Sequence, residues 1–542
     1  MPWKCAGQIR EPTIATCATC ANTGKVDDPK HLVGCERCDG TGLTLTSVVP
    51  RSDTGRIAKG ADALHESGND FVMSYGDFTE DAKDLKDYIP YLRTARRKIP
   101  GGWLDIALTL SPNPMLETGR VSFGGYIQLF PRWPGFLDKE SGIEIPSFRE
   151  CIVARPGFTL SSQDFRAGEL VTLAQTTKIL VGFSDLGDVL LSKDKNGKPM
   201  DVHSMLATQI LGVPYEELIA GLKTNRRYKD TRQAAKPPNF GFPGGMGIIT
   251  FILQARRQGE DTPHPTGPSL VDDGNGNLVP GYKGMRFCVL MGGAGPCGGP
   301  GNTTYVWNDQ PCAPVCSECA RCAVQLKEAW SSTWREMKRY FKYASNCVEN
   351  GQLITPDMLL RWPWLQEVFH PGQRLAPGEI MQLVSGRVRG AVEFCAAANG
   401  WFQGLLSDIT KHAYRIATTE CYVRGYRVPA MLFENSLPSR YAGMDSPLFA
   451  SRIPGFFHDE LFGEHPSDQA SDAAWRISEI MRDVMRWYCP DYADAAEADP
   501  TLMVCWDKRA SKVMHGGRLV PWTKEHNPKN CNECKAEAPK LN

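Results

Sequence analysis

Gly455-Phe-Phe-His458-Asp459-Glu460-Leu-Phe462 sets two neighbouring acids between two apolar stretches. That arrangement reads as a β-hairpin with its acids at the tip. Working outward, Ser162-Gln-Asp164-Phe-Arg-Ala-Gly-Glu169-Leu follows a strand-like run that starts at Cys151 and opens a helical run that ends near Phe183. It puts Asp164 at the end of a strand and Glu169 at the start of a helix. Between these lies Arg232-Gln-Ala-Ala-Lys236-Pro-Pro-Asn-Phe240-Gly. Positions i, i+4 and i+8 share one helix face, so two cations and an aromatic would line up there. Each patch has an ordinary explanation: a helix N-cap for Asp164, a solvated stripe for Arg232 and Lys236, a polar turn for Asp459 and Glu460.

The bulk numbers neither help nor forbid. The chain has 542 residues, enough for several domains and a large core. Lys+Arg and Asp+Glu both total 61, so no basic excess marks a nucleic-acid partner. A basic groove offset by acidic surface elsewhere gives the same sum. No apolar run reaches the about 18 residues of a membrane span. The first residues lack a signal-peptide core, which predicts a cytoplasmic protein, in the host cytoplasm if the source is viral. In that compartment the 19 cysteines call for something other than disulfides.

The chain divides by pattern. Residues 1–60 are rich in Cys, Gly and Thr and would need a metal to hold a fold. Residues 61–117 carry helical signals, with Arg93, Arg96, Arg97 and Lys98 read as a solvated helix face. A loop-like tract from 258 to 311, rich in Gly and Pro, is too long for an ordinary connection and reads as an insertion. Helical patterns follow at about 319–348, 379–426 and 468–489.

Taken together, in this order and spacing, the three patches resemble the three motifs of family A DNA polymerases, the group of bacterial DNA polymerase I and many phage replicases. Asp164 and its neighbours resemble D-Y-S-Q-I-E-L, the Arg232 patch R-x-x-x-K-x-x-N-F-G, and His458-Asp459-Glu460 H-D-E. Thr118-Gly119-Arg120 resembles T-G-R, and Ile127-Gln128-Leu-Phe-Pro131 resembles L-Q-N-I-P. Asp201-Val-His203 resembles D-I-H, and Asn399-Gly-Trp-Phe-Gln403-Gly, with Asp408 and Lys411, resembles N-x-P-x-Q-G…D…K. The resemblance runs from about 118 to 510.

It implies an α+β right-hand polymerase with a palm sheet, helical fingers and a reduced thumb, plus small Cys-rich zinc-binding segments. The expected organisation is a zinc-binding segment at 1–60, a reduced thumb at 61–117 and the first part of the palm at 118–195. Fingers would occupy 196–380 with the Cys-rich insertion at 258–322, the second part of the palm 381–510, and a tail 511–542. It implies an enzyme extending a DNA primer with dNTPs. Two Mg²⁺ ions about 3.5–4 Å apart would serve nucleotidyl transfer. Asp164, Asp459 and the Phe165 carbonyl would hold them, with Glu460 in support. Arg232, Lys236 and His203 would meet the triphosphate, Phe240 would stack on the nucleotide, and Glu169 would exclude a ribose 2′-OH. Arg120, Gln128, Asn399, Gln403 and His458 would contact the primer–template, in a minor groove whose acceptors vary little with sequence.

Departures matter too. Pro237 and Pro238 disfavour helix before them, so the fingers helix is expected to kink or begin there. Gly244 stands where the family has Tyr, Ala167 where it has Gln, and Cys395 where it often has Arg. About 117 residues precede Thr118, whereas an exonuclease domain and full thumb need roughly 250–300. Proofreading is therefore not expected from this chain, and a separate exonuclease or thumb subunit, or other replication proteins, become candidate partners. The variant second motif and the missing exonuclease look phage-like, which points to phage DNA replication.

Cys17-x-x-Cys20 and Cys35-x-x-Cys38 have zinc spacing, and Gly residues after each pair allow knuckle turns. Further candidate zinc ligands are Cys312, Cys316, Cys319 and Cys322, although Cys319 and Cys322 also suit a helix start. Cys531-x-x-Cys534, with His515 and His526 nearby, makes a third candidate. Cys151, Cys347 and Cys421 read as buried apolar residues. Two other functions compete: a single-subunit RNA polymerase, and a zinc-bearing DNA-binding subunit with a weak or dead palm. Glu169, Asn239-Phe240-Gly241 and a Glu at 460 argue against the first; intact Asp164, Lys236 and Asp459 argue against the second.

Overall fold

The computed structural model describes residues 70–105, 111–113, 120–124, 127–130, 136–137, 142–248, 250–251, 310–527 and 531. It also describes short strands at Ile14–Thr16, Lys25–Asp28, His31–Gly34, Leu43–Leu45, Leu270–Asp272, Leu278–Pro280 and Thr304–Trp307. Cys17, Cys20, Cys35, Cys38 and Cys534 lie outside the described residues, as do Thr118 and Gly119. The chain divides into two units. One comprises Met1–Pro90 and Gly247–Lys327, the other Tyr91–Met246 and Glu328–Asn542. Among the described residues no helix is long and apolar enough to cross a membrane.

The second unit is built on a five-stranded sheet. Its middle strand, β1 (Phe158–Phe165), is followed by α1 (Gly168–Val181), α2 (Val202–Leu211), α3 (Arg226–Ala234), α4 (Lys236–Gly241) and α5 (Glu336–Asn350). Then come the long α6 (Phe394–Tyr422), the hairpin β2 (Arg452–Phe457) and β3 (Glu460–Pro466), α7 (Ala470–Tyr488), β4 (Ala498–Met503) and β5 (Pro521–Trp522). The strand order is β2-β3-β1-β4-β5. All neighbours are antiparallel except β4 and β5. β1 has partners on both edges, so its middle is closed to water, with Ser161 and Gln163 wholly buried.

Helices close the core. On α6, Trp401, Leu405, Ile409, Ala413 and Ala417 recur every fourth residue and are all buried, the ridge that a helix presents to its neighbours. α6 packs against α1, α5, α7 and β2, and α7 lies on β1, β3 and β4. Arg476 of α7 is buried with Glu420 of α6 and Glu479. Its NH2 donates to Glu420 Oε1 at 2.7 Å and its NH1 to Glu479 Oε2 at 3.1 Å. The two helices are thus joined by a fully desolvated charge network.

Three expectations change. The basic cluster is not one helix face: Arg93 ends a helix, but Arg96, Arg97 and Lys98 lie on strand Arg96–Ile99, paired with Gly102–Asp105. The cause is local. Pro100-Gly101, with Gly101 at φ +89°, makes a tight hairpin turn that overrides helix propensity. The helical pattern expected from 379 begins only at Phe394; Ile380–Met381 and Val388–Arg389 pair as a small hairpin. Cys347 and Cys421 are buried, but Cys151 is exposed, because it lies in the turn before β1 rather than in the strand.

Candidate active site

Asp164 is the penultimate residue of β1 and is exposed. Since strand residues directly opposite one another point to the same face, it stands in a row with Glu460 of β3 and Asp499 of β4. Three like charges in a row oppose sheet formation unless they are compensated. Both outer members are. Lys508 Nζ donates to Glu460, which also accepts from Ser162 Oγ at 2.6 Å. Lys512 Nζ donates to Asp499 at 2.6 Å. The row thus carries three carboxylates, and the outer two have lysine partners.

Asp459 adds to that charge. It sits with His458 in the two-residue turn joining Phe457 to Glu460, and His458 takes a left-handed φ of +61°. Burial, then the charges of Asp164 and Glu169, push the Asp459 carboxyl up to about 7, with Arg120 pulling the other way. Like charges held this close favour binding either a proton or a cation. The donors are hard carboxylate oxygens facing a pocket lined also by Gln128, Arg149 and Lys508. That set fits Mg²⁺ chemistry.

The chain beyond β1 is shaped by this pocket. Ala167, before α1, is held at φ +59°, a conformation costing an L-residue about 1–2 kcal/mol. A side chain at Gly168 would begin 2.9 Å from Phe165 Cβ and 3.5 Å from Asp459 Oδ2. Only glycine lets the first turn of α1 come this near. Glu169 follows, and its carboxylate is paired with Arg120. Asp164 is therefore no helix cap; Ala167 holds that position without a side-chain bond.

A second cluster gathers on α2, α3 and α4. Asp201 caps α2, accepting from Ser204 N at 3.0 Å, and binds Arg232 Nε at 2.7 Å. Burial works to raise Asp201, but the bonds from Arg232 and Ser204 hold its carboxyl below the usual range. Because Arg232 binds through Nε, the outer edge of its guanidinium extends past the pair. Burial drives His203 down to about 4, with Arg232 and Lys236 adding to the effect of burial and Asp201 opposing it. The ring is therefore neutral at pH 7. Its tautomer follows from Asn239. Trp334 Nε1 donates to Asn239 Oδ1 at 2.9 Å, so the amide nitrogen is the donor to His203 Nδ1, at 3.1 Å. Nδ1 then accepts, and Nε2 carries the proton. Phe240 is exposed, its ring 5.5 Å from His203.

The prolines break this region into two short helices. α3 ends at Ala234 and α4 begins at Lys236 with Pro237 in its first turn, where a missing N–H costs nothing. Arg232 stays helical, in the last turn of α3, rather than falling into a loop. The 3₁₀ turn after α4 brings Gly244 against α6: a Cβ there would lie 2.3 Å from Asn399 Oδ1. Asn399 Nδ2 also donates to the Gly244 carbonyl at 3.4 Å. Gln403 lies one turn along α6, half-buried. Gln128 Oε1 accepts from Phe123 N at 2.9 Å.

Asp164, Gln128, His458, Asp459 and Glu460 share one pocket, and Arg120 and Glu169 pair beside Asp459. Arg232, His203, Phe240 and Lys236 belong to the second cluster, and Asn399 and Gln403 to α6. Lys508, Lys512, Asp499 and Trp334 carry no signal that sequence reading singled out. The two lysines are spotted only through their side-chain contacts with Glu460 and Asp499, and Trp334 is 95 residues from the amide it orients. Of the candidate zinc cysteines, Cys312 and Cys316 fall on strand Gln310–Cys316, and Cys319 and Cys322 in the first turns of helix Ser317–Thr333.

No family model matches the sequence, and no curated protein matches it. Among solved structures, the chain is similar to the polymerase domain of Pol1 from M. smegmatis in complex with DNA primer-template and dNTP. The identity is 16% and the TM-score 0.45, over 85% of this chain and 58% of that one, so this chain spans less than two thirds of that chain's length.

Proposed function

We propose that this chain is a template-directed DNA polymerase, extending a DNA primer with dNTPs by nucleotidyl transfer at Asp164 and Asp459. The observation that carries the reading is the convergence of Asp164 with His458-Asp459-Glu460 on adjacent strands, in a pocket where the outer acids have lysine partners and Asp459 is destabilised as an anion. Asp164, Asp459 and the Phe165 carbonyl would hold divalent ions. Bound there, such ions lower the pKa of a primer hydroxyl and steady a triphosphate.

The chain's own groups supply the rest. Glu460, pinned by Lys508 and Ser162, keeps the hairpin tip in register with β1. His203 Nε2–H, Lys236 and the outer edge of Arg232 offer three donors to a polyanion. Phe240 supplies an exposed ring for stacking. Glu169, oriented by Arg120, would crowd a ribose 2′-OH, and Arg120, Gln128, Asn399, Gln403 and His458 would touch the primer–template. The phage-like Asn239-Phe-Gly-Phe-Pro-Gly-Gly run extends the proposal to phage DNA replication.

Primer extension tests it. Removing one preorganised electrostatic group costs roughly 10²–10³ in rate. Asp164→Ala and Asp459→Ala are each expected to cost at least that, and near-normal extension by either sinks the assignment. In the same assay Glu169→Ala should admit rNTPs; if rNTPs are excluded as before, Glu169 is not the gate.

A further inference from the structure

We infer that His515, His526 and Cys531 form a zinc site, separate from the active site, that fastens the C-terminal edge of the central sheet. One ligand atom from each of the three lies within 4.8 Å of the other two. They come from both sides of β5. His515 belongs to the hairpin Met514–Leu519, whose turn is Gly516-Gly517 at φ +55° and +75°. Two positive φ values define a tight two-residue hairpin turn, so the position of His515 is set by the backbone.

The other two ligands sit on a loop held by its own polar groups. His526 N donates to Thr523 Oγ1 at 2.9 Å, and Thr523 N to the His526 carbonyl at 3.2 Å. Asn527 is buried, and its amide donates to the Thr523 and Lys524 carbonyls at 3.2 and 2.7 Å. Cys531 N then donates to the Asn527 carbonyl at 2.9 Å, and Cys531 packs on buried Val513 and Trp522. Every ligand-bearing segment is therefore anchored without the metal.

The donor chemistry selects the ion. Two imidazoles and a thiolate suit zinc, whereas calcium and magnesium prefer oxygen ligands. Donors about 2.0–2.3 Å from a tetrahedral ion stand about 3.5 Å apart, a modest closure from the observed upper bound. The two rings meet edge-on, their centroids 6.3 Å apart, which lets one nitrogen of each face a common point. Cys534 follows at Cys-x-x-Cys spacing and lies outside the described residues. The structural consequence is specific. β5 is a two-residue strand, paired with the β4 that sets Asp499 beside Asp164. A zinc ion bridging the hairpin to the loop would clamp that strand from both ends.

The test uses the full-length chain, with zinc per chain measured by elemental analysis in the wild type, His526→Ala and Cys531→Ser. A difference is read, because cysteines elsewhere also have zinc spacing. Each variant is expected to hold one zinc fewer, and His526→Cys to regain it. On cobalt loading, Cys531→Ser should lose one thiolate's share of the charge-transfer absorption. His526 is exposed, so His526→Ala folds even if Cys531→Ser does not. Equal zinc content in the wild type and folded His526→Ala overturns the site. Primer extension does not enter this readout, so the two proposals fail independently.

Discussion

At the scale of single residues, the second cluster shows how far one amide can reach. Asn239 makes three side-chain bonds inside the protein: Oδ1 accepts from Trp334, and Nδ2 donates to His203 and, at 3.5 Å, to the Val202 carbonyl. It thereby turns a buried, neutral histidine into a directed N–H donor. Asn239→Leu removes that direction and leaves Trp334 Nε1 without its acceptor, a loss of about 1–3 kcal/mol of stability. If His203 meets the triphosphate through Nε2, the variant should also raise KM for dNTP more than it lowers kcat. A KM equal to wild type in a folded Asn239→Leu protein would detach His203 from the nucleotide.

At the scale of elements, α6 and α7 are joined by charge as well as by apolar ridges. Arg476 is 1% exposed, and its two glutamate partners are as deeply buried. Breaking such a network strands uncompensated charge, which costs about 3–5 kcal/mol. Arg476→Leu should therefore lower the urea midpoint sharply, and replacing Glu420 and Glu479 with Gln in the same chain should recover part of the loss. A second element-level effect lies in the sheet. His465 of β3 is buried between Ser161 Oγ at 2.6 Å and Ser451 Oγ at 2.8 Å. Burial drives its ring down to about 3. Its folded-state value lies below the ordinary 6.5, so the stability it contributes is present above pH 6.5 and drains away as the pH falls towards 3. The limiting slope is about 1.4 kcal/mol per pH unit. His465→Gln should flatten the acid limb of an urea-stability profile over that window, and an unchanged limb would show that His465 is not what titrates.

At the scale of the whole molecule, the second unit accepts a cost at its centre. The sheet converges three strands on Asp164, Glu460 and Asp499 and adds Asp459, whose carboxyl burial and the neighbouring acids push up to about 7. A ligand that binds only the folded state stabilises it, by about 2.7 kcal/mol at a hundredfold excess over Kd. Mg²⁺ or Mn²⁺ should therefore raise the Tm of the wild-type chain at pH 8. The same addition should do little for Asp459→Asn, which should itself melt higher than wild type in chelator. Equal metal-induced shifts in both proteins would remove Asp459 from the ion site.

By itself the sequence determined the local chemistry and much of the local structure: a strand ending at Asp164, a helix opening at Glu169, acids at a hairpin tip, and a helix broken at Lys236-Pro-Pro. Those follow from short-range physics, namely side-chain period, proline sterics and turn residues. The same physics misled where turn residues sat inside a helical pattern, as at Pro100-Gly101 after the basic cluster. Only the tertiary structure decided the charge balance, because Lys508 and Lys512 meet Glu460 and Asp499 through space. It also decided which nitrogen of His203 carries the proton, through Trp334, and that His515, His526 and Cys531 meet around β5. Electrostatics and metal geometry depend on distance in space, and a chain's order encodes that distance only after it has folded.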